Sequence, residues 1–236
     1  DFSIEEKTGE AVKKIIIPGL EKSSSRIVLT FINGSFSNEL SSNKIINNAI
    51  FAGSFSEIPR KYSGLFNKHY SVYSGNNGLT ALNTAYAKDG AFIYIPDNRI
   101  MEEPVFIVNI SSSEKEINII SPRNLIIGGK HSRFKVAEIF YSTGENISLN
   151  NTVTEIFADE NSNIDYYKIQ TDCNDDNHTG TTQVAQKKGS SFTSNTISWS
   201  GNLIRNDLNA VQEGEGCESN FYGFYLLSGN RHIDNH

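Results

Sequence analysis

The chain has 236 residues, of which 37% are hydrophobic and 20% charged, and its formal net charge is −6. No run of Lys or Arg exceeds two residues, so the clustered cations that bind a nucleic-acid backbone are not visible. The longest apolar runs fall well short of the ~20 residues that span a bilayer, and the acidic start DFSIEEK does not resemble a signal peptide. These features predict a cytoplasmic protein that binds neither nucleic acid nor membrane.

The first part of the chain, residues 1–90, is expected to be a mixed segment of strand and helix. A β-branched run predicts a strand over 26–34, which ends in an Asn-Gly turn. Apolar residues at helical spacing predict a helix near 42–50, whereas the Gly-, Ser- and Tyr-rich stretch 51–75 reads as a long loop. The clearest helix is predicted over 77–88.

That last helix carries both a start signal and a period. Asn76 or Asn77 can cap its N-terminus, because an Asn side chain accepts a hydrogen bond from the free backbone N–H groups there. Leu79, Leu82 and Tyr86 recur at helical spacing and are expected to form its buried face.

Residues 91–236 read as strand and turn in alternation, without a convincing helical period. Glycines at 189, 201, 214 and 229 mark turns at near-regular intervals, which is typical of a sandwich, a barrel or a solenoid. One internal echo favours the solenoid, because AEIF at 137–140 recurs as TEIF at 154–157. We therefore expect a mainly β protein with a parallel β-helix over 91–236, cut short at its C-terminal end.

The echo also raises the question of whether two carboxylates lie close together. If its 17-residue period is one coil, Glu138 and Glu155 stack about 4.8 Å apart and form an acidic ladder. Carboxylates that close would raise a pKa or recruit a cation. The alternative is that both side chains face solvent, since charged residues are seldom buried.

A second candidate site lies in the last residues of the sequence. His232, Asp234 and His236 alternate, so that on a strand they would share one face and could ligate a metal. The polar stretch TDCNDDNH offers a third candidate, a cation site, although a solvated loop suits it better; its ligands would be Asp172, Asp175, Asp176 and His178.

A different class of function is also open. A β-helix that binds or cleaves polysaccharide would need paired acids or aromatic platforms in a groove. Five aromatic residues could supply platforms, although core packing explains them equally well: Tyr166, Tyr167, Trp199, Phe221 and Tyr222.

Long ordered stretches of the chain resemble one known family. GLTALNTAYAKDGAFIYIP, EEPVFIVNI and SPRNLIIGG are similar to the central part of SufB/SufD proteins, which are subunits of the SufBCD iron–sulfur cluster assembly complex. The closing stretch GNLIRNDLNAVQEGEGCESNFYGFYLLSGNRHIDNH is similar to them over its whole length, and its His-x-Asp-Asn-His ending looks more like SufD than SufB. Arg231 stands where the family pattern has glutamine.

The resemblance implies a right-handed parallel β-helix and a non-catalytic scaffold. It implies a SufB-like subunit and a SufC-like ATPase as partners. Separately, the exposed strand edges of a truncated β-helix offer a homodimer through the β-helix as a further option. It also implies that no cofactor is bound firmly by this chain, and that iron or an iron–sulfur cluster is held only in the full complex. On this reading HIDNH is a family signature beside a cut rather than a metal site.

Overall fold

The structure is a computed structural model, and its strands and helices place the protein in the mainly β class. It describes residues 26–42, 49–73, 75, 77–113, 118–144, 147–171 and 176–236. Strands account for 56% and helix for 12%, and the strands wind into a parallel β-solenoid of about 5 turns. The predicted parallel β-helix is confirmed.

Fifteen strands and two helices are seen within these described ranges. The strands are β1 (Ile27–Ile32), β2 (Ser35–Phe36), β3 (Phe51–Ser54), β4 (Ala91–Ile95), β5 (Val105–Ser113), β6 (Asn118–Ile120), β7 (Arg123–Gly128), β8 (Arg133–Gly144), β9 (Ser148–Ala158), β10 (Asn163–Thr171), β11 (Asn177–Gln186), β12 (Ser191–Ser198), β13 (Leu203–Gln212), β14 (Glu218–Tyr225) and β15 (His232–Asn235). The helices are α1 (Arg60–His69), which follows a short 3₁₀ turn at Phe55–Glu57, and α2 (Gly78–Tyr86).

From β7 onward, successive strands alternate between two sheets, which is the topology of a solenoid. One sheet has the order β14-β12-β10-β8-β5-β1-β2, and the other has the order β15-β13-β11-β9-β7-β4-β3 with β6 beside β9. All pairings within these sheets are parallel except β1 with β2 and β3 with β4. The two antiparallel strands therefore close the N-terminal end of both sheets, whereas β14 and β15 are the last strands at the other end.

The register fixes the length of one coil. Phe134, Ile164 and Phe192 are successive partners on β8, β10 and β12, at intervals of 30 and 28 residues. The 17-residue echo is therefore the step from one sheet to the other and not a full coil. The prediction that equivalent residues stack every 17 positions is wrong.

Alternation along each strand separates a core from an outer surface. On β10, every second residue from Ile164 is buried, and the residues between them are half-buried. Phe134, Val136, Ile164 and Phe192 belong to one hydrophobic core that runs along the inside of the solenoid. Burial of a side chain of this size contributes about 1.5–3 kcal/mol, so this stack is the main stabilising term.

One turn of each coil has a repeated backbone conformation. A residue with positive φ occurs there five times in succession: Asn98, His131, Asn161, Gly189 and Gly216. Glycine and asparagine tolerate this left-handed region best, which explains most of the choices. The recurrence at 27 to 33 residues, read from these positions, is a coil-length signal that the sequence carries.

Cys217 belongs to the same turn. The residue after the left-handed position is a serine in the two preceding coils, Ser162 and Ser190, whose hydroxyls donate to carbonyls three residues earlier at 2.7 and 2.6 Å. Cys217 Sγ makes the equivalent contact with the carbonyl oxygen of Gly214 at 3.2 Å. Its thiol therefore replaces a structural hydroxyl of the repeat.

The N-terminal segment adds strands as well as helices to the solenoid. β1 lies within the predicted strand 26–34 and pairs with β5, and α2 lies within the predicted helix 77–88. Most of the helix expected near 42–50 falls outside the described residues, since 43–48 are not among them. The loop predicted over 51–75 is wrong, because β3, the 3₁₀ turn and α1 occupy much of it.

Candidate functional site

A fully buried carboxylate lies inside the solenoid. Glu138 on β8 accepts hydrogen bonds from Asn109 Nδ2 at 3.2 Å, Asn124 Nδ2 at 2.8 Å and Thr154 Oγ1 at 3.0 Å. Tyr166 Oη donates the fourth. Four donors from four other strands thus converge on one carboxylate, which stabilises it in the absence of water.

The tyrosine in this network is held in its donor form. Burial, and then the neighbouring Glu138 carboxylate, raise the pKa of Tyr166 well above its ordinary value of 10. The phenol therefore stays protonated across the physiological range and continues to donate to Glu138. A carboxylate that is enclosed by protein donors in this way cannot reach an external substrate.

A buried lysine lies in the next coil. Lys168 is the register partner of Glu138 and is only 3% exposed. Its Nζ lies over Gly180 on the opposite sheet, so that a Cβ at Gly180 would lie 2.1 Å from it. A Cβ in that position would also lie 3.2 Å from Asn206 Oδ1 and 3.3 Å from His178 Nε2. An ammonium, an imidazole and an amide therefore converge on the space that the missing side chain of Gly180 leaves open.

An amide ladder continues from there towards the last strand. Asn206 Nδ2 donates to Gln170 Oε1 at 2.9 Å and to Asn235 Oδ1 at 3.0 Å, while Ser198 Oγ donates to Gln170 Oε1 at 2.6 Å. Together with Glu138 and its donors, these side chains form a polar stripe along the inside of the solenoid. We call this set the luminal polar stripe.

The sequence reasoning missed the luminal polar stripe, although a signal for it exists. Glu138 is in phase with Phe134 and Val136 on its strand, and Lys168 is in phase with Ile164 and Tyr166. The rarity of buried charges favours a solvent-facing position for Glu138. Its parity on the strand places it inside, and parity is the stronger of the two signals.

Glu155 lies on the other side of the sheet wall, beneath the helices. It forms an ion pair with Arg123 at 2.8 Å, and both side chains are fully buried. The backbone N–H groups of Ser71 and Tyr73 donate to the same carboxylate at 2.9 and 2.8 Å. The carboxylate thus binds the segment that follows α1 to the outer face of β9.

The same arginine also holds the second helix. Arg123 Nη1 donates to Thr84 Oγ1 at 2.7 Å and to Asn83 Oδ1 at 3.3 Å. Asn83 Nδ2 in turn donates to the carbonyls of Pro122 and Asn151 at 2.9 and 2.7 Å. The buried face of α2 is therefore polar.

This finding corrects the predicted face of that helix. Leu82 and Tyr86 are 36% and 64% exposed, whereas Thr80 and Asn83 are buried. The predicted cap is present, since Asn77 and Thr80 form a capping box. The expectation of an apolar buried face is wrong, because α2 packs over the Arg123–Glu155 pair and not over an apolar surface.

Two aromatic side chains seal the edge of this ion pair. His69 Nδ1 lies 2.6 Å from Tyr73 Oη, and both rings pack against Phe157. Burial raises the pKa of Tyr73 to about 12 and lowers the pKa of His69 from its ordinary value. At neutral pH the imidazole is thus neutral, and the phenol can donate to it.

The predicted acidic ladder does not form. Glu138 is in the seven-stranded sheet and pairs with Lys168, whereas Glu155 is in the other sheet and pairs with Gln183. The alternative of two solvent-facing side chains is also wrong, because both are 0% exposed.

The C-terminal candidates lie on and beside β15. Asp234 Oδ2 accepts from Arg205 Nη1 at 2.8 Å, and His236 Nδ1 lies 3.6 Å from Asp207 Oδ1. Throughout the described ranges, no cluster of three His, Cys, Asp or Glu side chains has the geometry of a metal site. Here Asp234 forms an ion pair with Arg205, and His232 is exposed.

The structure describes only part of the candidate site in the TDCNDDNH stretch. Asp176 and His178 are buried at the start of β11, and Asp176 Oδ1 accepts from the backbone N–H of Ser148 at 2.5 Å. Residues 172–175 lie outside the described ranges. The expectation of a solvated loop is therefore wrong for Asp176 and His178.

The C-terminal end of the solenoid is the most exposed part of the described chain. Phe221, Tyr222, Phe224 and Tyr225 on β14 are 50% to 61% exposed. A cavity of about 210 Å³ opens there, between β12, β13, β14 and β15. Within the described chain, β14 and β15 each pair with one neighbouring strand in their sheet.

The five aromatics considered as sugar platforms do not share a surface. Tyr166 lies in the hydrophobic core, and Phe221 packs towards Phe192 within it. Tyr167 and Tyr222 alternate with them and therefore lie on the outer face. Glu138 and Glu155 are both buried, so they cannot serve as a pair of acids in an external groove.

Comparison with known protein families agrees with this architecture. Residues 16–107 match the SufBD protein N-terminal region, and residues 108–236 match the SufBD core domain of the SUF system for FeS cluster assembly. The chain belongs to the SufB/SufD family. The core-domain match begins within β5 and covers the rest of the SufBD solenoid to its last strand.

Individual relatives point the same way. The chain is 28% identical over 225 residues to an iron–sulfur cluster assembly SufBD family protein of Synechocystis. The aligned region covers 92% of this chain and 49% of that protein. The chain is 27% identical over 169 residues to the iron–sulfur cluster assembly protein SufD of Bacillus subtilis, which covers 70% and 36%. A chloroplastic protein of Arabidopsis thaliana, ABCI7, is 19% identical over 211 residues, with 87% and 44% covered. The chain spans half or less of the length of these relatives.

Neither helix of the described SufBD chain is long and apolar enough to cross a membrane.

Proposed function

We propose that this chain is a non-catalytic scaffold subunit of an iron–sulfur cluster assembly machine, of the SufD type. The observation that carries the proposal is the family match, which extends from residue 16 to residue 236. The placement of Glu138 and Glu155 supports it, because both carboxylates are engaged by groups of the protein itself. The polysaccharide alternative has no comparable support.

The partners we propose are a SufB-like subunit and a SufC-like ATPase. A SufB-like subunit would pack on the exposed aromatic side chains of β14, among them Tyr222 and Phe224. Aromatic side chains are enriched at the centre of protein–protein contacts.

The chain itself is proposed to hold no cofactor firmly. Iron or an iron–sulfur cluster would be bound in the full complex, where a partner can complete a ligand set around residues such as His232 and Asp234. Three or four ligands are the usual requirement for a transition metal, and Asp234 is already engaged by Arg205. A cytoplasmic location is part of the same proposal.

The test is a co-purification with the SufB-like and SufC-like proteins of the same source. We expect the chain to retain the SufB-like subunit, and we expect Tyr222→Lys on β14 to abolish this retention, since it adds a charge to the exposed aromatic surface of that strand. Tyr86→Lys on α2 is the matched control, because Tyr86 is 64% exposed and Tyr222 is 61% exposed.

Two outcomes would contradict the proposal. Retention of the SufB-like subunit by Tyr222→Lys, or its loss with both variants, would mean that the aromatic surface of β14 is not the contact. If neither partner is retained by the unaltered chain, the scaffold function itself would be overturned.

A further inference from the structure

A histidine is buried at the point where α1 ends. His69 is the last residue of α1 and is only 3% exposed, and its ring lies on Phe157 of β9 with 4.4 Å between the ring centroids. Its Nδ1 lies 2.6 Å from Tyr73 Oη. The ordinary pKa of histidine puts its change of charge near neutrality. A histidine in such a contact therefore couples the contact to pH wherever burial disfavours its charged form.

The four residues after α1 are tied to the sheet beside this histidine, and we call residues 70–73 the strap. The N–H groups of Ser71 and Tyr73 donate to the two carboxylate oxygens of Glu155 at 2.9 and 2.8 Å. Ser71 has a left-handed backbone with a φ of 61°, and Val72 between the two donors is 57% exposed. Since a left-handed serine is unfavourable in itself, the strap depends on its contacts to stay in place.

The ring of Tyr73 is the second attachment of the strap, and it depends on His69. Tyr73 stacks on Phe157 with 5.9 Å between the ring centroids, and its hydroxyl faces the imidazole. Burial raises the pKa of Tyr73 to about 12, so the phenol keeps its proton at neutral pH and donates to Nδ1 of the neutral imidazole. Protonation of His69 turns Nδ1 into a donor. This hydrogen bond must then reverse, and a positive charge is enclosed between two aromatic rings.

The surroundings of His69 disfavour an imidazolium. Burial lowers the pKa of His69 from its ordinary value of 6.5, and Lys68 beside it on α1 acts in the same direction. Asp159, in the turn between β9 and β10, opposes this shift, whereas Lys187, in the turn between β11 and β12, adds to it. His69 is therefore neutral in the folded protein at physiological pH.

Two further carboxylates near the strap are already paired with cations. Beneath the strap, Arg123 on β7 forms the buried ion pair with Glu155 on β9. Lys187 is paired with Glu213, which lies directly after β13 and adds to the raised pKa of Tyr73. Because each carboxylate has a cation of its own, an imidazolium gains less from either of them.

We propose that His69 is a pH-dependent switch: the strap and the end of α1 stay attached to β9 while its imidazole is neutral, and they detach when it is protonated. Detachment withdraws Tyr73 from Phe157 and exposes the ion pair beneath the strap. The rest of α1 stays in place, because Tyr62 and Phe66 hold it in the apolar cluster over the sheet. The switch depends on this contact alone and does not rest on the proposed function.

The pH range follows from the direction of the shift. A histidine whose pKa is lowered in the attached state binds its proton more readily in the detached state. Attachment is therefore unaffected well above pH 6.5 and weakens as the pH falls through and below this value. One proton is taken up on detachment, so the equilibrium changes by about tenfold per pH unit within this window. The window ends at the pKa of His69 in the attached state, below which both states are protonated.

The experiment is hydrogen exchange of the strap amides, followed by NMR. The amides of Ser71 and Tyr73 are the probes, since both donate to Glu155 and exchange when the strap detaches. Their protection is measured from about pH 5 to about pH 8, relative to exchange in an unstructured peptide at the same pH; carboxyl groups ordinarily titrate below this range. We expect constant protection above about pH 7 and a loss of about tenfold per pH unit once the pH falls below the ordinary pKa of histidine.

His69→Gln is the variant that separates a switch from a structural contact. Glutamine is neutral at every pH, and its side-chain oxygen can still accept from Tyr73. Protection of the strap should then be independent of pH, whereas loss of a purely structural contact would lower it without removing its pH dependence. His131→Asn is the matched control, because His131 is exposed in a left-handed turn that asparagine occupies at Asn98 and Asn161. It should retain the full response to acid.

The titration of His69 itself is the second measurement. Its imidazole resonances, identified by their absence from His69→Gln, should shift with a midpoint below 6.5. A midpoint at or above this value would overturn the proposal, as would strap protection that does not change with pH in the unaltered chain. A response to acid that persists in His69→Gln, or one that is lost in His131→Asn, would assign the effect to another group and overturn it as well.

Discussion

At the scale of single residues, the interior of the solenoid depends on how a few polar groups are accommodated. Lys168 extends across the interior to Gly180, where a methyl group would lie 2.1 Å from its Nζ. Glu138 is surrounded by four donors from the protein. At both sites a buried charged group depends on the protein groups around it. Substitution of those surrounding groups should therefore be tolerated as poorly as substitution of the charged residue.

Gly180→Ala should therefore destabilise the protein by about 1–3 kcal/mol, because the added methyl group overpacks the interior and displaces the ammonium. Urea unfolding followed by far-UV circular dichroism measures this change. Gly64→Ala is the comparison, since its methyl group meets no atom and lies within a helix, where alanine is favoured over glycine by about 0.5–1 kcal/mol. Equal stabilities for the two variants would show that Lys168 does not need this space.

At the scale of elements, two helices are attached to the solenoid by a polar contact. The Arg123–Glu155 pair is fully buried and is surrounded by groups from α2 and from the segment after α1. Buried pairs of this kind add little net stability, yet removal of one partner leaves the other charge buried alone.

We expect Arg123→Met to destabilise the protein by about 3–5 kcal/mol, for that reason. The double variant Arg123→Met with Glu155→Gln should recover part of this loss, because no charge then remains buried. Thermal and urea unfolding of the single and double variants measure the difference. Lys130→Met, which removes the exposed ion pair with Glu160, is the control and should leave the unfolding midpoint unchanged. A double variant that is less stable than Arg123→Met would contradict this account.

The secondary-structure elements also show how much of the fold could be predicted from the sequence. Strand alternation and regular turns predicted the parallel β-helix, because side-chain parity is a local property that every strand repeats. α1 was missed although Tyr62, Leu65, Phe66 and His69 have a helical period, since the Gly, Ser and Tyr content around it resembles a loop. The Arg123–Glu155 pair could not be predicted, because it joins residues whose proximity depends on the register of β7 with β9.

At the scale of the whole molecule, the two ends of the solenoid differ. The antiparallel strands β2 and β3 close the N-terminal end, as capping units do in repeat proteins, while β14 and β15 have a neighbour on one side only. Stability in such an array is a sum of contacts between neighbouring coils, so an end coil has fewer stabilising contacts than a central coil.

Hydrogen exchange should reveal this asymmetry. We expect backbone amides of β8 to β11 to be the most protected, and those of β14 and β15 to exchange fastest among the solenoid strands. Mass spectrometry of peptides after timed labelling in deuterated buffer measures it, and dilution of the sample separates local opening from protection by a second copy. Uniform protection from β1 to β15 in the dilute protein would contradict a stability gradient.

The left-handed residue that recurs at Asn98, His131, Asn161, Gly189 and Gly216 has a consequence for how such a chain can change in length. Each coil enters and leaves this turn with the same backbone geometry, so a whole coil is an interchangeable module. A gain or loss of about 28 residues between two equivalent turns would preserve every strand's inward and outward faces. A change of one or two residues within a strand would instead shift or reverse them. Lineages of this fold should therefore lengthen by duplicating complete coils.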